Sequence, residues 1–271
     1  VVIRGNDVTV RRTKIHEIAH DGVRMTGCDI VRIDNNEIFN TDDGTNDSQT
    51  GFPRHADGIQ LYKENSGSTD PVEFNNNIFI RGNRIYQHEV MTIMAEGNYC
   101  RNWVIENNVF GPSGGIMLHL KLAVLGFVFR HNTIVYAPGE SYEGLYRTLY
   151  PGSYAVALPT YNVSEDVEIY NNIICGPVSG QEFGVSLKNA AYYDRNLFHH
   201  RTWTYPDLGE NPIVEAFDPL LNPFDYDGLL VAETAAIGAG STYKPIAVDM
   251  YGVPRSSPPT IGATEYVNYD D

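Results

Sequence analysis

Positive charge is scarce in this chain. Lys and Arg number 19 against 34 Asp and Glu, a net charge of −15 over 271 residues. That balance excludes a generic nucleic-acid binder and disfavours contact with anionic membranes. Long apolar runs are missing, so no segment has transmembrane length. A sustained 3.6-residue period is missing too, which excludes long helices. Cysteine is limited to Cys28, Cys100 and Cys175, an odd number at wide spacing that reads as buried thiols. No signal peptide is visible. The chain opens on Val1-Val2-Ile3 already inside a strand, so an N-terminal cap and secretion signal are expected upstream.

A returning phrase fills the space these absences leave. A short alternating strand, an asparagine and an apolar pair occur as Ile33-Asp34-Asn35-Asn36-Glu37-Ile38-Phe39 and Ile80-Arg81-Gly82-Asn83-Arg84-Ile85-Tyr86. The phrase returns around Asn108, Asn132, Asn172 and Asn196. The steps between these asparagines are 47, 25, 24, 40 and 24 residues, and Thr13 lies 23 before Asn36. A period near 24 with two insertions is the signature of a stacked solenoid. Each period also holds a second apolar strand: Gly22-Val23-Arg24-Met25, Gly58-Ile59-Gln60-Leu61, Met91-Thr92-Ile93, Gly115-Ile116-Met117-Leu118, Ala155-Val156-Ala157-Leu158 and Gly184-Val185-Ser186-Leu187. Alternation over short runs bounded by Gly, Asn and Asp means half-buried strands.

A rung of this length accommodates about three short strands and three turns, stacked at about 4.8 Å. The expected architecture is all-β, a single-stranded parallel β-helix of about seven or more rungs. Asn tolerates sharp bends, and its amide can bond the same amide one rung away, so the asparagines should form a column. Cys28 and Cys100 then fall about two rungs apart, near 9–10 Å, too far for a disulfide.

Through the strand–Asn–apolar phrase, residues 1 to about 200 resemble the right-handed parallel β-helix proteins of the pectate-lyase-like superfamily. The resemblance implies a secreted or periplasmic carbohydrate-active protein, because that group contains polysaccharide lyases, uronan epimerases, glycoside hydrolases and phage tailspikes. It is specific for fold and does not by itself assign an activity. One domain is expected, with the β-helix over 1–204 and an irregular proline-rich segment over 205–271. That segment resembles the closing part of secreted bacterial β-helix proteins and would cover the last rung's open edge, which suits a monomer.

The two insertions, about Thr41 to Arg54 and about Gly139 to Ser153, direct attention to the second strand of each rung. Both follow the asparagine bend and should emerge on one side. The later one carries Tyr146, Arg147 and Tyr150, residues able to meet sugar rings. On the strand between the loops Gln60 and Tyr62 should point outward, followed by Lys63. The same count puts Arg24, Thr92 and Met117 in the row of Gln60, and Met94 and His119 in the row of Tyr62, with Lys121 at a strand end. His20-Asp21, His55-Ala56-Asp57 and His88-Glu89 precede three successive second strands. His55, His88 and His119 are therefore expected on one wall.

Two chemistries fit. In β-elimination of an acidic polysaccharide, a base removes the proton alpha to the carboxylate while a cation neutralises that carboxylate. His119, Lys121 or Tyr62 would exchange the proton, and Arg24 or Lys63 would neutralise. A Ca2+ ion held by Asp57, Glu89, Asp42 and Asp43 could take the neutralising part. Epimerisation would use the same residues. In glycoside hydrolysis, Asp57 and Glu89 would flank the scissile bond. Asn40-Thr41-Asp42 is similar to the opening motif of polygalacturonases, but their other elements have no match here. A non-catalytic, carbohydrate-binding or tailspike-like β-helix is the third possibility. An acidic chain acting on an acidic polymer needs a local cationic surface or a bridging cation.

Overall fold

The computed structural model describes residues 1–18, 20–41, 56–61, 75–86, 92–95, 99–111, 118–120, 123–135, 156–157, 165–175, 185–186, 192–199 and 209–267. Among these, the strands form three sheets of seven, seven and eight members, and the neighbours within each sheet lie one turn of the chain apart. The first sheet comprises Val2–Ile3, Val23–Met25, Ile59–Leu61, Ile93–Ala95, Leu118–Leu120, Val156–Ala157 and Val185–Ser186. The second runs from Asn6–Arg11 through Asp29–Asp34 to Tyr192–Asp194, and the third from Lys14–His16 through Glu37–Phe39 to Ile213–Glu215. Pairings such as Val23↔Ile59, Val31↔Ile78 and Ile38↔Ile85 are all parallel. This is the expected parallel β-helix.

Alternation decides which side chains go inside. In the second sheet Val31, Ile78, Trp103, Phe127 and Val167 stack in register and are fully buried. Ile33, Ile80, Ile105, Phe129 and Ile169 form a parallel buried column. Each such side chain contributes about 1.5–3 kcal/mol through removal from water. On the outward face a column of alternating sign runs Arg11, Asp34, Arg81, Glu106 and Arg130. Arg81 holds Asp34 with two 3.0 Å bonds, and Arg130 donates to Glu106 at 2.8 and 2.6 Å. Opposite charges directly across a sheet stabilise its register.

The corner between the second and third sheets explains the asparagines. Arg12, Asn35, Gly82, Asn107, His131, Asn171 and Arg195 all have positive φ, from 48° to 64°. The next residue in each rung is Thr13 or a buried ladder asparagine. Asn36, Asn83, Asn108 and Asn132 each donate backbone and side-chain N–H to the amide oxygen of the next asparagine, at 2.8–3.1 Å. Asn172 does the same to Asn196. At the start of the column Thr13 offers its backbone N–H to Asn36. Ile213 pairs with Leu197, so Pro212 occupies the next ladder place and brings no amide.

The step of 47 is one rung, because Glu37 pairs directly with Arg84. Its extra length lies on both sides of Ile59–Leu61. Besides the expected insertion before that strand, residues 62 to 74 separate it from the strand Asn75–Arg81, where the preceding rung needs only 26 to 28. Alternation carries no signal for an insertion that begins at a strand's end.

The C-terminal segment differs from expectation. Residues 209–215 continue the solenoid: Glu210 bridges to Asp194, and Ile213–Glu215 pairs with Leu197–His199. The remainder folds back along the outer face of the third sheet instead of closing the end. Leu220, Tyr226, Leu230, Ala236, Ile261 and Ala263 form a second core with Tyr86, Val109, Val135, Ile173 and Leu197. Beyond its first rungs the third sheet is apolar on its outer face too, through Tyr86, Val109, Ile173 and Leu197, and the segment removes that face from water. The buried thiols are confirmed for Cys28 and Cys175, and burial pushes the Cys175 thiol well up. Among the described residues no helix is long and apolar enough to cross a membrane.

Candidate functional site

The first sheet carries the residues singled out from sequence, with a different register. Arg24 pairs with Gln60, Gln60 with Met94, Met94 with His119 and His119 with Ala157. Met94 and His119 therefore share the row of Gln60, and Thr92 drops out of it. The shift is two residues: Gly22 and Gly58 occupy equivalent places, but Ile59 pairs with Ile93 and Ile93 with Leu118, so Thr92 is the counterpart of Gly58 and not of Gln60. Arg24 and Gln60 are half-buried between buried neighbours, so they face outward, whereas Met94 is buried.

Asp57 has no exposed surface. Its backbone N–H donates to the Asp21 carboxylate at 3.0 Å, and its carbonyl accepts from Gly22 at 3.0 Å. The Asp57 carboxylate is therefore buried within the turn rather than displayed on the surface of the sheet. The Asp-Gly pairs reflect packing. A Cβ on Gly22 would lie 2.6 Å from the Ile38 side chain and 2.7 Å from the Gly58 carbonyl, so only glycine lets the third sheet approach there.

Tyr62, Lys63, His55, His88, Glu89, Lys121, Asp42, Asp43, Tyr146, Arg147 and Tyr150 lie outside the described residues. The strand holding His119 is placed; its side chain is not among those described. Among the described residues no group of three His, Cys, Asp or Glu side chains could hold a metal ion.

A second feature escaped sequence reading. A groove of about 690 Å3 opens between the first rungs and the turn Asp249–Gly252. One wall is a row of the third sheet, Lys14, Glu37 and Arg84, in register. Glu37 accepts from Lys14 at 2.7 Å and from the Tyr86 hydroxyl at 2.8 Å, with Arg84 at 3.6 Å. Burial alone would raise the Glu37 carboxyl; the bonds from Lys14 and Tyr86 and the charge of Arg84 outweigh it and hold it below its ordinary range. Arg12, Asn35 and Tyr251 complete the lining. No sequence signal joins Tyr251 to Arg12, because their sharing one groove depends on how the C-terminal segment folds back.

No protein-family model matches the chain, and no curated protein matches it. Among solved structures, the complex of XylC with xylose is similar, at 12% identity and a TM-score of 0.41. The similarity covers 96% of this chain and 50% of that one, so the chain spans about half the length of that structure. The fold stands on the strand registers: three parallel sheets, one asparagine column, and a first-sheet row holding Arg24, Gln60, Met94 and His119 between the longest insertions.

Proposed function

We propose that the chain binds an acidic polysaccharide along the outer face of the first sheet and cleaves it by β-elimination. The observation that supports this reading is the shared row of Arg24, Gln60 and His119 on the one sheet bordered by long insertions on both sides. Long loops attached around one solenoid face are the usual way a flat rung becomes a binding groove.

The register sharpens the roles. Arg24 lies three rungs from His119, about 14 Å at the spacing of parallel strands. That exceeds one sugar ring, so Arg24 holds a carboxylate away from the scissile bond, with Gln60 beside it. Neutralising the reacting carboxylate falls to Lys121, two residues after His119. A base, His119, takes the proton alpha to that carboxylate. The electron pair forms the carbon–carbon double bond, the β carbon–oxygen bond breaks, and the leaving oxygen gains a proton.

The test is incubation with pectate, alginate and glycosaminoglycans, reading the ultraviolet absorbance of the unsaturated product alongside new reducing ends. His119→Ala and Lys121→Ala should abolish both signals and leave thermal stability nearly unchanged. Reducing ends without absorbance would establish hydrolysis instead. Full activity in both variants would remove the site from this row.

A further inference from the structure

We infer that the groove between the first rungs and the Asp249–Gly252 turn is a second saccharide site, for a sugar unit bearing a carboxylate. It does not depend on the first sheet being catalytic. Arg12, Asn35 and Gly82 of the positive-φ corner column line this groove. Where the C-terminal segment covers that column, the side chains are engaged. Asn107 donates to the Val248 carbonyl at 2.9 Å and accepts from Arg255 at 2.8 Å. Asn171 exchanges bonds with Ser241 at 2.9 and 2.7 Å, and Arg195 donates to the Ala239 carbonyl at 3.0 Å.

The segment reverses direction at Asp249–Gly252, and Val248 bridges back to Pro254. The upstream corner residues Arg12 and Asn35 are therefore left lining the open groove. Both are exposed, and among the described residues neither side chain has a hydrogen bond or ion pair. A guanidinium and an amide, stacked one rung apart, present donors for a carboxylate and a hydroxyl together. Gly82 keeps that amide in place: a Cβ there would fall 2.3 Å from the Asn35 amide oxygen.

The remaining walls select for a sugar. Tyr251 is 52% exposed, and its hydroxyl is tied to the Asp227 carbonyl at 2.9 Å, so a fixed aromatic side chain borders the groove. Such a face suits the C–H side of a pyranose. Glu37 already serves Lys14 and Arg84, and Asp249 accepts from the backbone of Tyr251, Val253 and Glu265 at 2.8 Å each. Arg12 is thus the surplus cation in a chain of net charge −15, where a local positive site is unusual. The volume falls in the range of small-molecule sites.

The test is calorimetric titration of the intact chain with hexamers of galacturonate and of alginate, with a neutral cellulose hexamer as the control. The background carries Arg24→Ala and Gln60→Ala, so that the first-sheet face is disabled. Binding of one or more uronate hexamers, about tenfold weaker after Arg12→Asn with Asn35→Gly, is the expected result. Asn and Gly both accept the positive φ of these corners, so the double variant keeps the backbone. Unchanged affinity in the double variant, no uronate binding, or equal binding of the neutral hexamer would overturn the inference. Turnover of polymer by a chain carrying Arg12→Asn with Asn35→Gly but retaining Arg24, Gln60 and His119 reports on the first sheet alone and separates failure of that proposal from failure of this one.

Discussion

The asparagine column gives the sharpest quantitative test, at Asn108. This side chain is fully buried. Its amide oxygen accepts the backbone N–H of Asn83 at 2.9 Å and the Asn83 side chain at 3.0 Å, while its NH2 donates to Ile80, Glu106 and Asn132. Asn108→Ala strips the acceptor from the Asn83 backbone N–H in a place water cannot reach. A buried donor left without a partner costs about 1–3 kcal/mol, and the other lost bonds add roughly 1 kcal/mol net, for a total near 3 kcal/mol. At about 2–4 °C per kcal/mol for a chain of this size, the melting midpoint should fall by roughly 6–12 °C. Asn36→Ala is the internal control. Among the described residues its oxygen accepts only from Thr13, at 3.1 Å and on an exposed residue, where water replaces it. That variant should lose about 1 kcal/mol. Thermal melts followed by circular dichroism compare the two. Equal losses, or a shift below about 2 °C for Asn108→Ala, would show that the ladder bonds do not carry the corner's stability.

Three further outcomes follow from local geometry. Ile30 has φ 55° in a column otherwise made of Asp7, Asn77, Asn102, Gly126 and Asp166, so a β-branched residue is strained there. Ile30→Asn should stabilise by about 1 kcal/mol, read as a higher denaturant midpoint. Gly22→Ala should cost about 2 kcal/mol or more, because both blocking atoms belong to packed rungs; a neutral effect in the same assay would refute the close approach. Burial first, then the charges of Arg255 and Arg130, hold the His131 imidazole well below its ordinary value of 6.5. The unfolded chain therefore takes up the proton first as pH falls below 6.5, and stability is lost in that window by up to about 1.4 kcal/mol per pH unit. His131→Asn, which places there the residue found at corners 107 and 171, should remove that loss between pH 6.5 and 5. Identical pH profiles for the two proteins would contradict it.

The spacing of Asn36, Asn83, Asn108, Asn132, Asn172 and Asn196 was enough, by itself, to determine the solenoid and its amide column. In a stacked fold a repeat in the chain becomes a neighbour in space, so periodicity encodes contact directly. The same logic located the polar row but misplaced Met94 and His119 by two residues, because turn glycines are a poorer ruler than buried Ile and Leu. What tertiary structure alone decided lies off the repeat. Asp57 is sealed within its turn, and the C-terminal segment turns back along the third sheet to bring Tyr251 beside Arg12. Neither arrangement has a period, and a groove shared by residues more than two hundred positions apart, formed through irregular chain, leaves no mark in local sequence.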